Sequence, residues 1–369
     1  MTTIQVATRK GLFTVARGEG GRWAVAARAF VGDGVTAVLH DPRDGALYAG
    51  LGLGHWGVKL RRSRDDGATW TDLAAPAFPK PDDPSEETTA DGKPWPWRVD
   101  QLWVLEAGHA SEPGVLWCGT VGGGLFRSAD HGESWALVRG LWDHPSRRQW
   151  SGGGADRPAI HSICVHPDDG RDVVVGVSCG GAWRTRDGGA TWTIASEGMR
   201  AEYLPESQKY DPVAQDPHRI AQCRAKPERL WCQHHNGVFI SDDRGGRWRE
   251  LTEVPPAVFG FAVASHPHDP DVAWLVPAVK DEERVPVDGA VVVTRTSDGG
   301  KSYTVAREGL PQTNAYDIAL RHALDVDAAG ELLAFGSTTG GLWVSDDGGA
   351  RWQAIDARLP PVYAVRVVG

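Results

Sequence analysis

The sequence predicts an all-β chain folded as a single ring of four-stranded sheets, a seven-bladed β-propeller. The first observation is one eight-residue phrase that occurs six times. It reads Ser63-Arg-Asp65-Asp-Gly67-Ala-Thr-Trp70, Ser128-Ala-Asp130-His-Gly132-Glu-Ser-Trp135 and Thr185-Arg-Asp187-Gly-Gly189-Ala-Thr-Trp192 in the first half. In the second half it reads Ser241-Asp-Asp243-Arg-Gly245-Gly-Arg-Trp248, Thr296-Ser-Asp298-Gly-Gly300-Lys-Ser-Tyr303 and Ser345-Asp-Asp347-Gly-Gly349-Ala-Arg-Trp352. A seventh copy, Ala16-Arg-Gly18-Glu-Gly20-Gly-Arg-Trp23, keeps the glycine and the tryptophan without the aspartate. The second observation is the period. The closing aromatics stand at 23, 70, 135, 192, 248, 303 and 352, about one four-stranded sheet apart, and a near-fixed period marks a repeat architecture. The third is that short β-branched or aromatic runs, broken by Pro, Asp and Gly, fill the chain between copies.

Each repeat divides into strand A, a Pro-Asp turn, strand B, a variable loop, strand C, the eight-residue box and strand D. Ile163-Cys-Val-His-Pro167 followed by Val173-Val-Val-Gly-Val-Ser178 gives strands A and B, as does Ala262-Val-Ala-Ser-His-Pro267 followed by Val272-Ala-Trp-Leu-Val276. Strand C stands directly before the box, as in Gly124-Leu-Phe-Arg127, Gly181-Ala-Trp-Arg184 and Gly341-Leu-Trp-Val344. Within the box, Ser/Thr and Asp side chains bond nearby amides, glycine supplies a positive φ, and the aromatic pins the hairpin by burial. The box is therefore a folding device, since one Asp per turn is too few ligands for a tight Ca²⁺ site.

The first blade lacks strand A. Residues 4–8, 11–15 and 23–29 read as strands B, C and D, and Val362-Tyr-Ala-Val-Arg-Val-Val368 is a spare strand that fills the gap. Such pairing removes an open edge, which in an all-β protein invites aggregation. The expected blades are 1–30 with 362–368, 35–75, 100–139, 160–196, 219–252, 259–306 and 315–356, in one domain spanning 1–369.

The chain has 369 residues, a net charge of −9 and a pI near 5.8, which argues against nucleic acid or an anionic membrane as a partner. No apolar stretch is long enough to span a bilayer, and Met1-Thr-Thr-Ile enters the first strand without a signal region, so a cytoplasmic location is expected. Cys118, Cys164, Cys179, Cys223 and Cys232 have no metal-ligand spacing and read as reduced thiols. Cys223 and Cys232 flank one hairpin and are expected to stay unlinked.

The boxes resemble those of the Asp-box, or BNR-repeat, β-propellers along the whole chain. That superfamily includes sialidases, xyloglucan-active glycosidases, sortilin-type receptors and a photosystem II assembly factor, so the resemblance implies a scaffold and no single chemistry. The chain looks most like cytosolic bacterial repeat proteins described as sialidase-like or glycosyl-hydrolase-like. Sialidases carry an Arg-Ile-Pro motif near the first blade. Here the nearest echo is His218-Arg219-Ile220-Ala221 in another blade, which disfavours sialidase activity.

Propeller geometry puts the A–B turns and boxes on one face, and the B–C loops and D–A crossovers on the other. The second face holds the length variation, in 74–100, 139–159, 196–218, 253–259, 277–289 and 307–315, and long loops on a rigid scaffold carry function. His55, His144, His161, His218, His234 and His235 fall there, with Trp56, Trp95, Trp97, Trp142 and Trp150. Asp100, Asp143, Asp156, Asp216 and Asp317 accompany them, and Trp-Pro-Trp97 could fold over the face as a lid. Aromatic rings beside ionisable groups suit a carbohydrate or similar polar small molecule.

The expected ligand contacts are Trp56, Arg98, Trp142, Trp150, Arg219, Asn314 and Tyr316. Two catalytic routes stay open, glycoside hydrolase-like or lyase-like. Asp143 and Asp216 could serve as acid and base, with His161 beside them. Alternatively His55, His161, His218 and His234 could hold a divalent metal. Gln233-His-His235 resembles the Gln/His metal sites of some propeller lyases, although adjacent histidines cannot both turn their rings to one ion. The alternative is a non-catalytic scaffold that grips a protein partner or guides assembly.

Overall fold

The computed structural model describes residues 2–80, 88, 92, 95–152, 157–355 and 358–369. Asp156 and most of the 80–97 segment therefore lie outside the described residues. Turn residues every few positions keep the elements short, and the result is nearly all β.

The chain opens with β1 (Thr3–Thr8), β2 (Gly11–Arg17) and β3 (Trp23–Ala29), then β4 (Gly34–His40), β5 (Leu47–Gly52), β6 (Val58–Ser63) and β7 (Thr71–Leu73). Next come β8 (Gln101–Ala107), β9 (Leu116–Val121), β10 (Leu125–Ser128) and β11 (Ala136–Leu137). A short α-helix, Arg139–Trp142, follows. Then run β12 (Ala159–His166), β13 (Asp169–Ser178), β14 (Gly181–Thr185) and β15 (Thr193–Ile194). The following sheet holds β16 (Pro217–Gln222), β17 (Leu230–His234), β18 (Gly237–Ser241) and β19 (Arg249–Leu251). The last two are β20 (Gly260–Ser265), β21 (Ala273–Pro277), β22 (Val293–Thr296) and β23 (Thr304–Ala306), then β24 (Leu324–Val326), β25 (Leu333–Gly336), β26 (Leu342–Ser345) and β27 (Gln353–Ala354). The chain ends with β28 (Val362–Val368).

Each group of four is an antiparallel meander, and β8–β11 joins β12–β15 through the single pair Ala159↔Val121. The C-terminal strand β28 pairs antiparallel with β1, Ile4 opposite Val367 and Val6 opposite Val365, so that sheet runs β28-β1-β2-β3. The first strand of each group lies against the next: β4 on β8, β8 on β12, β12 on β16, β16 on β20, β20 on β24, β24 on β28, and β28 on β4. These inner strands are mostly buried, whereas outer β3 is exposed at four or more successive positions after Trp23.

In the third box Thr185 Oγ donates to Asp187 Oδ1 at 2.8 Å and accepts from the Gly189 amide at 2.9 Å. Asp187 Oδ1 accepts the Thr191 amide at 2.9 Å, and Trp192 Nε1 donates to Gly189 O at 3.1 Å. The bonds to the amides thus span four residues, longer than the two or three expected for a simple Asx turn. Gly189 sits at φ +99°, a conformation that a side chain would strain. Neighbouring sheets interlock at the boxes: Tyr48 Oη donates to His131 O at 3.2 Å and Trp274 Nε1 to Gly348 O at 2.8 Å. All five cysteines are free, Cys223 and Cys232 included.

Candidate functional site

The inner strands share one irregularity. A β-bulge inserts one extra residue and turns its side chain out of the alternation. Thr36 is the extra residue in β4, Trp103 in β8, His161 in β12, His218 in β16 and Tyr363 in β28, while β20 has its shift across Phe261 and Ala262. His322, just before β24, occupies the matching place. All seven stand two residues before an aliphatic one, and six of them directly before a small or polar residue: Thr36-Ala-Val, Trp103-Val-Leu, His161-Ser-Ile, His218-Arg-Ile, Phe261-Ala-Val, His322-Ala-Leu and Tyr363-Ala-Val.

These side chains meet. The Trp103 ring stands edge-on to His161 at 5.7 Å and to His322 at 6.4 Å, and His218 stacks on Phe261 at 4.6 Å. Several also bond backbone groups of other inner strands: Thr36 Oγ donates to Leu102 O of the adjacent strand at 2.8 Å, and His322 Nε2 reaches His161 O of a non-adjacent one at 2.6 Å. Gly176 leaves the room His161 needs, since a Cβ there would lie 2.9 Å from its Cε1. A recess of about 350 Å³ opens beside Thr36 and Tyr363, lined also by Arg9, Gly34, Asp100 and Gln101. A separate group of ionisable side chains gathers around His218.

Asp216, at the end of the crossover into β16, is buried and held on one oxygen. Its Oδ1 accepts the Ser178 hydroxyl and the Cys179 amide, both at 3.0 Å. Its Oδ2 lies 3.5 Å from His218 Nε2 and 3.3 Å from His235 Nδ1. Burial raises its pKa, yet the His218 and His235 imidazoles beside it and the nearby Arg321 charge hold it well below the carboxylate range. Cys179, which supplies the amide, has φ +51°, a strained value for a residue with a side chain.

Arg321 is 7% exposed, its guanidinium 4.9 Å from the Trp103 ring and 5.2 Å from Phe261. Among the described residues its Nε has no hydrogen-bond partner and no carboxylate reaches it within ion-pair distance. Burial pulls its pKa down to about 10, so it remains a cation at neutral pH.

The residues expected from sequence divide accordingly. Asp216, His161 and His218 belong to this cluster, and Arg219 donates to His161 O at 3.2 Å. His234 is buried and its Nε2 accepts the Asp216 amide at 3.1 Å, so that lone pair is already engaged; burial lowers its pKa to about 3. The imidazole facing Asp216 is that of His235. His55 lies apart, exposed beside Trp56 at 4.6 Å in the turn Gly54–Trp56, so the expected four-histidine set does not assemble. Asp143 pairs with Arg139 at 2.8 Å on the helix, half exposed, while the partners of Asp216 are the groups named above. Trp142 and Trp150 are loop anchors: Trp142 packs on Trp95 at 5.8 Å and Trp150 on Trp183 at 5.7 Å. Arg98 pairs with Asp100 at 2.7 Å, and Asn314, Tyr316 and Trp56 are exposed.

Sequence reasoning missed Trp103, Phe261, Arg321, His322 and Tyr363, and it named His235 without including it in the expected metal set. The sevenfold alignment of inner strands carries a signal for all of these except His235 and Arg321. For the His234-His235 pair, alternation allows one ring to face Asp216, and only the pairing of Pro217 with His234 decides which.

Comparison with protein-family profiles and with curated protein sequences gives no match. Solved structures do match. The glycoside hydrolase family 74 xyloglucanase from Xanthomonas campestris aligns with TM-score 0.64 and 17% identity over 95% of this chain and 52% of that one. An ancestral enzyme of the same family gives TM-score 0.58 and 14% identity, over 87% of this chain and 38% of that one. YCF48 from Cyanidioschyzon merolae gives 0.55 and 15%, over 93% and 88%. The chain thus spans about half the length of the xyloglucanase it matches, and at these identities the likeness is one of fold. The chain has a propeller-like fold of several antiparallel sheets, similar to that of glycoside hydrolase family 74 and of YCF48.

Proposed function

We propose that the chain is a closed seven-bladed propeller of the Asp-box type whose axial funnel binds an anionic polar small molecule, an acidic carbohydrate being the fitting class. The cyclic packing of inner strands and the β28–β1 pairing support the closure. The observation that carries the function is Arg321, a buried cation held between two aromatic rings with no partner for its Nε among the described residues. A planar guanidinium in a dry aromatic setting suits a carboxylate, which it can bind by two parallel hydrogen bonds. Trp103 and Phe261 beside it offer faces for the C–H groups of a sugar ring. Glycoside hydrolase or lyase chemistry at Asp216 is consistent with this reading and with the family 74 likeness.

The alternative is an assembly scaffold, favoured by the mutual coverage with YCF48, one structure of which is described as bound to a D1 peptide. Thermal shift and calorimetry in EDTA with glucuronate and with glucose separate the readings. Binding of glucuronate alone, lost in a folded Arg321→Met variant, is expected, because a ligand stabilises the state that binds it. Equal responses to both sugars, or none, would leave the scaffold reading in front.

A further inference from the structure

We propose that Asp216, His218 and His235 form a divalent transition-metal site opening into the funnel. The argument starts from His218. Its Nδ1 lies 2.7 Å from the Gly260 carbonyl oxygen, which can only accept, so Nδ1 carries a proton. In the neutral ring the Nε2 lone pair then faces Asp216 Oδ2, at 3.5 Å. A lone pair opposed to a carboxylate oxygen calls for a cation between them.

His235 completes the set with Nδ1 at 3.3 Å from the same oxygen, and all three donors lie within 4.8 Å of one another. Ligands bonded at about 2.0–2.1 Å in a tetrahedron stand roughly 3.3–3.5 Å apart, which the two measured separations match. The outer partners are those a metal site needs. The Gly260 carbonyl orients His218, and Ser178 with the Cys179 amide occupies Oδ1 while leaving Oδ2 free. Two imidazoles and one carboxylate suit Zn²⁺, Mn²⁺, Fe²⁺, Co²⁺ or Ni²⁺ better than Ca²⁺ or Mg²⁺, which favour all-oxygen sets.

Three protein ligands leave a position for water or a ligand atom, the pattern of catalytic rather than structural sites. The site lies beside Arg321, since the Phe261 ring stacks on His218 at 4.6 Å and carries the Arg321 guanidinium at 5.2 Å. A ligand carboxylate on Arg321 would thus place its neighbouring atoms near the ion. That last step rests on the anion reading above; the metal site does not.

The test uses the full chain, stripped with EDTA, and metal alone as probe. Calorimetry and thermal shift with Zn²⁺, Mn²⁺ and Mg²⁺ should show one saturable transition-metal site and no comparable response to Mg²⁺. His235→Gln, at a partly exposed position that does not threaten the core, should weaken binding by about tenfold or more. His218→Gln should do the same, and His55→Gln should leave it unchanged. Absence of saturable binding to the folded wild type would overturn the site, as would affinity unaltered in His235→Gln. A nitrogen-15 NMR signature of a doubly protonated His218 in metal-treated protein would also overturn it. Because no organic ligand is present, failure here leaves the Arg321 reading standing, and the reverse also holds.

Discussion

His322 Nε2 donates to the backbone carbonyl of His161 at 2.6 Å, tying together two inner strands that lie 161 positions apart in the chain. His161 is the bulged residue of β12 and His322 stands at the matching place before β24, and Arg219 donates to the same carbonyl at 3.2 Å. The bond joins residues that also pack on Trp103, His161 at 5.7 Å and His322 at 6.4 Å. His322→Leu removes the donor and should lower stability by about 1–2 kcal/mol. Urea unfolding followed by tryptophan fluorescence checks this; an unchanged midpoint would mean the contact contributes nothing.

Arg244 is a second long-range tie. It sits inside the fourth box at φ +62°, and its buried guanidinium donates to Asp172 Oδ1 at 2.9 Å, Cys164 O at 2.9 Å and Pro227 O at 3.1 Å. Arg244→Ala should cost about 3–5 kcal/mol, since it strips one partner from a buried ion pair and leaves carbonyls without donors. Arg244→Lys should recover only part, because an ammonium cannot reproduce the planar fork. Equilibrium unfolding of the two variants gives the ranking, and equal stability of wild type and Arg244→Lys would contradict it.

The box carboxylates predict an acid transition. Hydrogen bonds from the hydroxyls of Thr69, Ser134, Thr191 and Ser302, and then from amides, hold Asp65, Asp130, Asp187 and Asp298 down to about 2 from 3.8. A group with a depressed folded pKa contributes stability that is present above 3.8 and lost as pH falls towards 2. Denaturant midpoints should therefore drop between pH 4 and 2. An Asp65→Asn/Asp187→Asn double variant should show a shallower drop, and parallel curves for the two proteins would reject the linkage.

Removing residues 362–369 should unfold or aggregate the protein. Val362, Ala364 and Val365 are buried in β28, and their loss opens the β1 edge. Size-exclusion chromatography and circular dichroism read the result. A truncated chain that stays monomeric and melts with the parent would show that β28 is dispensable.

The boxes and the strands around them were legible in the sequence because their determinants are local. In every intact box one Ser/Thr-to-Gly bond and one Asp-to-amide bond span four residues, so the phrase specifies its own turn wherever it occurs. The spare strand at 362–368 was legible by counting, since one blade lacked its first strand. Which histidines and aromatics meet one another was not legible. Trp142 and Trp150 read as ligand contacts and are instead anchors for the helix and crossover, a distinction set by which core they meet.

The sequence by itself determined the repeat, its turns and the strand order, all of which follow from patterns within a few residues or from the period. Only the tertiary structure decided which side chains meet. A bulge of one residue reverses which way a side chain points, and six inner strands use it to turn Thr36, Trp103, His161, His218, Tyr363 and the Phe261 step out of register. The same shift opposite Pro217 gives His234 to a backbone amide and His235 to Asp216. Contacts between residues a hundred positions apart depend on how neighbouring sheets pack, and no local pattern encodes that.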